Sequence, residues 1–121
     1  MTVKELIAQV KEEKPNSFSN DKLVEFINEI EADVVEYIDG FMKYEWEEYT
    51  YEDDNELIVM HPYDRMYRYY LMAKIDYALE EYQSYANNIS QFNSDWIDFK
   101  DMAIRKGLVR TRLPRKIRNV F

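Results

Sequence analysis

The chain of 121 residues has no cysteine, two glycines, three prolines and a single histidine, His61. Without cysteine there is no disulfide scaffold, no thiolate metal site and no cysteine nucleophile. Gly40 and Gly107 stand far apart, which excludes the glycine-rich loops that cradle phosphates or dinucleotides. One imidazole excludes any site that needs two. The longest aliphatic run is Leu57–Met60, far short of a bilayer span, and Glu5 follows close on Met1. The expectation is a soluble, cytoplasmic chain with no membrane partner. What the chain does have is apolar and acidic. It is 46% hydrophobic and 16% aromatic, with eleven tyrosines, enough to build the core of one domain.

The net charge of −8 is the sum of two opposed blocks. Residues 1–104 carry all 24 acids and nine bases, a balance of −15. Residues 105–121 carry Arg105, Lys106, Arg110, Arg112, Arg115, Lys116 and Arg118 with no acid, a balance of +7. Twelve of the carboxylates fall in residues 29–56, against Lys43 alone. Such an asymmetry speaks of partners rather than of fold. It divides the chain into a helical domain over 1–105 and a basic tail over 106–121.

Thr2 followed by Glu5 is a capping box that opens a first helix, with Leu6, Ile7 and Val10 as its apolar stripe and Pro15-Asn16 as its stop. Phe18-Ser19 reads as a hydrophobic staple and N-cap for a second helix, with Leu23 as the staple's partner. From Leu23 to Phe41 apolar residues recur at steps of three and four, and Gly40 supplies the stop. Residues 41–61 fit either a short β-hairpin, with Glu52-Asp53-Asp54-Asn55 as its turn, or a loop with one helical turn.

Pro62 suits the first position of a third helix. Leu71, Ile75, Ala78, Tyr82, Tyr85, Ile89, Phe92, Trp96, Phe99 and Ala103 then alternate steps of four and three. This seam predicts one long helix, or two nearly collinear ones, with Asn87-Asn88 and Asn93-Ser94 as the places to kink. A straight helix from Pro62 to Arg105 would measure about 65 Å and overhang its own domain. The fold class is therefore mainly α: two N-terminal helices and one long or kinked helix, with a short hairpin as an option between them.

Sites of chemistry are sparse. His61 lacks a nucleophile and an orienting acid in its neighbourhood, and reads as a residue hydrogen-bonded to backbone where the long helix starts. Asp53-Asp54-Asn55-Glu56 lacks the alternation and mid-loop glycine of a calcium loop, so the acidic cluster reads as solvated surface. Carboxylate pairs for glycoside hydrolysis are defined by their separation in space, and among 24 acids coincidental pairs carry no specificity. No catalytic residue, metal or cofactor is expected. The tyrosines of residues 63–85 lie among Asp64, Asp76, Glu80 and Glu81, which disfavours a base-stacking platform. Tyr82 and Tyr85 read as core, whereas Tyr63, Tyr69, Tyr77 and Trp46 read as protein-interface candidates. The tail can bind phosphate, dock onto acidic protein, or add Val109–Leu113 as a strand to a sheet edge. Protein docking is favoured because the rest of the chain is too acidic to approach a duplex.

Two stretches carry a resemblance. The first comprises Phe18-Ser19, Leu23 and Ile27-Asn28-Glu29-Ile30-Glu31. The second comprises Pro62-Tyr63-Asp64, Met66-Tyr67, Tyr69-Tyr70-Leu71-Met72-Ala73, Ile75-Asp76-Tyr77-Ala78, Glu81-Tyr82, Tyr85, Asn88, Phe92-Asn93 and Asp98-Phe99. Over residues 15–100 the pattern resembles the small head–tail connector (adaptor or neck) proteins of tailed phages and prophages of Gram-positive bacteria. Two departures stand out. Relatives are expected to have a turn-like pair where this chain has Leu79-Glu80, and to stop before a basic tail. The resemblance implies a non-enzymatic, mainly helical subunit that is monomeric until it forms a ring on the portal protein. The ring would receive the next neck or tail protein and pass DNA through its channel without specific binding. It would assemble in the host cytoplasm and end in the virion. The alternative from another class is a small helical regulator that binds nucleic acid through residues 105–121.

Overall fold

The computed structural model describes residues 1–39 and 45–109. Four helices account for most of them: α1 (Val3–Glu13), α2 (Asn20–Ile38), α3 (Arg65–Ala78) and α4 (Tyr82–Arg105). No β-strand occurs among the described residues, so the domain is all-α.

Local chemistry explains the first two helices. Glu5 N–H donates to Thr2 Oγ1, and the Glu5 side chain accepts from Thr2 N–H, which completes the capping box. Ser19 caps α2 by accepting from Lys22 N–H at 3.1 Å. The Phe18 ring lies edge-on to Phe26 at 6.0 Å, one turn beyond the expected staple partner Leu23. Helix α2 stops at Ile38 with Asp39 as its C-cap; Gly40 and Phe41 lie outside the described residues. Leu6, Ile7 and Val10 of α1 and Leu23, Ile27, Ile30 and Val34 of α2 are buried in a common core with α3 and the end of α4.

The long helix is corrected. Its seam is shared by two helices that turn back on each other at Leu79–Glu81, rather than running through. Three links along their length show the antiparallel packing: Arg65 to Asp95, the Tyr70 ring 5.2 Å from Phe92, and Asp76 to Ser84 and Asn88. The reversal is a Schellman motif: Glu81 N–H donates to Asp76 O at 2.9 Å and Glu80 N–H to Tyr77 O at 3.2 Å. Glu80 takes the left-handed conformation there, with φ 59°. Heptad spacing survives because each helix separately needs an apolar stripe. Folding the two together places both stripes on one core, where a straight helix would leave half of the seam in water.

Other expectations change with it. Helix α4 runs unbroken through Asn87-Asn88 and Asn93-Ser94, and Asn88 serves as a donor to Asp76 instead of marking a kink. Helix α3 starts at Arg65, not Pro62, after a cis His61–Pro62 peptide and a turn. Ala78 and Tyr82 of the seam are exposed, because they flank the reversal.

Residues 45–61 form a loop without a hairpin; residues 41–44 of the stretch expected to hold it lie outside the described residues. The turn expected at Glu52–Asn55 falls one residue earlier, at 51–54, and the segment after it pairs with the N-terminus. Thr2 and Glu56 form an isolated antiparallel bridge, and Val3 N–H donates to Asn55 O while Leu57 N–H donates to Met1 O.

Candidate interaction surfaces

Polar groups buried inside the body decide how the outer surfaces are presented. Glu31 of α2 is fully buried. It accepts from Tyr67 Oη, from Tyr49 Oη at 2.6 Å and from Ile58 N–H at 2.9 Å. Burial pushes the Glu31 carboxyl above its ordinary range, opposed by the two tyrosine hydroxyls and the Ile58 amide. Tyr67 Oη also accepts from Val59 N–H at 2.9 Å. One turn away, the Asn28 carboxamide clamps Tyr49 through both its backbone groups, at 2.8 and 3.1 Å. Loop 49–59 is thus held to α2 and α3 by satisfied polar contacts, as buried amides require.

A second knot lies beside the helix reversal. Asp76 is fully buried, accepts from Ser84 Oγ and Asn88 Nδ2 at 2.7 Å each, and pairs with Lys14 Nζ. Burial would raise its carboxyl, but Lys14, Ser84 and Asn88 outweigh that and hold it below the usual range. Asp76 and Glu81 in turn hold the Lys14 ammonium above its ordinary value. The end of α1 is thereby tied to both helices of the α3–α4 hairpin.

A third buried acid, Asp95, pairs with Arg65, whose Nη2 lies 2.9 Å from Oδ1; Gln91 donates to the same oxygen. Asp95 lines a small cavity of about 240 Å³ with Pro62, Tyr63, Arg65 and Asp98. Nearby, His61 is 88% exposed with its Nδ1 3.5 Å from Asp64 Oδ1, so its neighbour is a carboxylate and not the expected backbone group. Among the described residues no three His, Asp or Glu side chains converge as metal ligands. None of the described helices is long and apolar enough to cross a membrane.

The interface candidates from the sequence are scattered. Tyr63 and Tyr77 stand at opposite ends of α3, roughly 20 Å apart along its axis. Tyr63 is half-buried at the Asp95 cavity, and Tyr69 is half-buried beneath the Arg68 guanidinium at 4.9 Å. Trp46 packs edge-on against Tyr49 at 5.3 Å on the clamped loop. Tyr77 alone of the four is open, 63% exposed, and forms an aromatic cluster with Tyr82 and Tyr85 at the reversal. Tyr82 is 60% exposed, which corrects its placement in the core; Tyr85 is half-buried. Tyr67 is the deepest of the described tyrosines.

Sequence reasoning missed the apolar outer face of α4. Ile97 and Ile104, two turns apart, are 54% and 63% exposed, and Leu108, past the helix end, is 46% exposed. They point away from Phe92, Phe99 and Met102, which are buried. The seam absorbed the aromatic stripe and left no reason to count the isoleucines opposite.

Of the basic tail, Arg105 and Lys106 are exposed at the C-terminal end of α4, where cations suit the helix dipole. There Gly107, at φ 68°, closes a second Schellman motif: Leu108 N–H donates to Ala103 O and Gly107 N–H to Ile104 O. Val109 returns to pack against the core. Arg110, Arg112, Arg115, Lys116 and Arg118 lie outside the described residues.

Between α2 and α4 runs an open groove of about 620 Å³. Its floor is aromatic: Trp96 stacks on Phe92 at 6.1 Å and meets Tyr37 edge-on at 6.2 Å. Asp33 and Glu36 line it from α2. Comparison of the chain with protein-family models, with curated proteins and with solved structures finds no match.

Proposed function

We propose that this protein is a non-enzymatic connector subunit that forms a ring on a phage portal and links head to tail. The observation that carries the reading is the pair of exposed isoleucines, Ile97 and Ile104, on the outer face of α4, with Leu108 also exposed just past the helix end. The subunit's own core does not cover it, and a neighbouring copy in a ring would. Exposed aliphatics aligned on one helix face are the usual substance of a protein interface, because their burial supplies the non-directional part of the association energy. The open tyrosines at the α3–α4 reversal, Tyr77 and Tyr82, add the residue type most enriched in such interfaces. The sequence pattern over residues 15–100 supports the same assignment. The portal, the next neck or tail protein and passing DNA are the partners it implies. An acidic channel wall would let DNA slide without sticking.

The test is electron microscopy of the purified protein mixed with a portal protein from the same genome. Rings or collars with the portal's symmetry are expected, and Ile97→Asp with Ile104→Asp should abolish them while leaving the helical content unchanged. Absence of any ring under all conditions refutes the assignment. A steeply salt-dependent affinity for duplex DNA, lost when the tail arginines become glutamine, would favour the nucleic-acid regulator instead.

A further inference from the structure

The cavity where the start of α3 meets α4 has a chemistry that the connector reading does not use. Asp95, only 2% exposed, is its buried wall, and Pro62, Tyr63, Arg65 and Asp98 complete the lining. Pro62, Arg65 and Asp98 are exposed, so the cavity opens to solvent. The Asp95 carboxylate is partnered on one oxygen only. Its Oδ1 accepts from Arg65 Nε at 3.0 Å, lies 2.9 Å from Arg65 Nη2 and accepts from Gln91 Nε2 at 3.1 Å. Its Oδ2 is buried and accepts from no donor among the described residues. A buried carboxylate oxygen is rarely left so, because its desolvation then goes uncompensated.

Charge and geometry select the donor. The lining holds two carboxylates, Asp95 and Asp98, and one guanidinium, Arg65, which leaves it negative by one charge. That excludes an anion and favours a cation over a neutral hydroxyl or amide, since charge-assisted hydrogen bonds are the stronger ones. A second guanidinium would bind best through parallel bonds to both oxygens of a carboxylate, but three donors already crowd Oδ1. A metal ion would need more ligands, and no three His, Asp or Glu side chains converge among the described residues. An ammonium is compact and needs a single oxygen from each partner, so one N–H suits Asp95 Oδ2 and another Asp98. Pro62 and Tyr63 supply the uncharged part of the lining, against which a short alkyl stem can lie. At ~30 Å³ per water, about 240 Å³ is the space of roughly eight waters, enough for one such stem and its head.

We infer that this cavity is a binding site for a primary alkylammonium, the head of a lysine side chain or of a free amine, held by Asp95 Oδ2 and Asp98 beside Arg65. A lysine seated there would give the body a socket for a single residue of a partner, specified by charge and shape rather than by area. The inference is independent of the connector reading, because it is tested on the purified subunit with a small probe and no portal present.

The test follows the amide NMR shifts of the full ¹⁵N-labelled chain during titration with n-butylammonium chloride at constant ionic strength and pH 7. Saturable shifts centred on Tyr63, Arg65, Asp95 and Asp98 are expected, with a dissociation constant of order ~1 mM. n-Butanol has the stem without the charge, and tetramethylammonium has the charge without an N–H. Each should bind about tenfold more weakly or worse. Asp95→Asn should weaken n-butylammonium binding by about tenfold or more, with circular dichroism to check the fold. Asp98→Asn, at an exposed position, should weaken it roughly threefold and leave the melting temperature unchanged. Nα-acetyl-lysine methylamide, run alongside, separates the sources: tighter binding than n-butylammonium supports a protein lysine, and weaker binding supports a free amine. Shifts that fail to saturate, equal shifts from n-butanol or tetramethylammonium, or shifts spread over the whole acidic surface would overturn the inference. So would full affinity in folded Asp95→Asn or, if that variant does not fold, full affinity in Asp98→Asn.

Discussion

Tyr67→Phe is the sharpest test of the buried Glu31 network. The change removes one oxygen and leaves the ring's packing intact. That oxygen does two things: its hydrogen goes to Glu31, and its lone pair receives the Val59 amide at 2.9 Å. A hydrogen bond to a charged group is worth about 1.5–3 kcal/mol, and an orphaned buried amide costs about 1–3 kcal/mol. Allowing for relaxation of the loop, the loss should be about 3 kcal/mol, a large part of the ~5–15 kcal/mol that holds a domain folded. At this chain length each kcal/mol corresponds to roughly 4 °C, so the melting temperature should drop by about 12 °C. The loss must also depend on pH. Burial raises the Glu31 carboxyl when folded, so the folded state holds its proton to higher pH than the unfolded state. Stability from this group therefore falls as pH rises from the ordinary carboxylate range through the raised folded value. Removing the Tyr67 donor pushes that value higher still, so the variant should lose more at pH 7 than at pH 4. Urea unfolding followed by circular dichroism at both pH values measures this. A loss under about 1 kcal/mol, or one independent of pH, would refute the account of Glu31 as a buried carboxylate held by its donors.

Three further outcomes follow from the same contacts. Glu80→Gly should stabilise the fold by about 0.5–1 kcal/mol, because glycine relieves a left-handed residue at the α3–α4 reversal; Gly107→Ala should do the reverse, with open space around the new methyl leaving only the backbone term. Thermal denaturation of both variants reads the pair, and like signs would contradict it. Lys14→Met should cost about 2–3 kcal/mol by leaving Asp76 buried without its cation. Asp76 is held low when folded, so its contribution is present above the ordinary carboxylate range and fades as pH falls; the variant's acid-unfolding curve should be correspondingly flatter. Thr2→Ala should lose about 1 kcal/mol through the broken capping box, readable as a lower urea midpoint with an unchanged slope.

Local signals carried the parts of this protein that depend on a residue and its near neighbours. Thr2 with Glu5, and Ser19, are caps whose partners sit three residues away, so the starts of α1 and α2 follow from sequence alone. The two Schellman motifs mark where such reading stops. At Gly107 the residue type announces the left-handed turn, whereas at Glu80 the same turn is made by a residue with no preference for it. Propensity cannot reveal the second, because it is imposed by the apolar stripes of α3 and α4 closing on one core and by Asp76 gathering Ser84, Asn88 and Lys14. The same limit applies to tyrosine. Tyr67 lies four residues before Leu71, on the apolar stripe of α3, and Tyr77 lies off it, but only the folded chain shows that the buried hydroxyl meets Glu31.

The absence of cysteine, the scarcity of glycine and the division of charge into −15 and +7 were properties of the chain before it folded. They determined which chemistries were closed to it, and that its two ends have opposite sign. Tertiary structure decided which of the domain's side chains are buried and which are exposed. It buried Glu31, Asp76 and Asp95 among donors, turned Ile97 and Ile104 outward, and left an aromatic groove between α2 and α4. Those outcomes depend on contacts between residues far apart in the chain, and a periodic pattern can show that a helix has an apolar face without showing what will cover it.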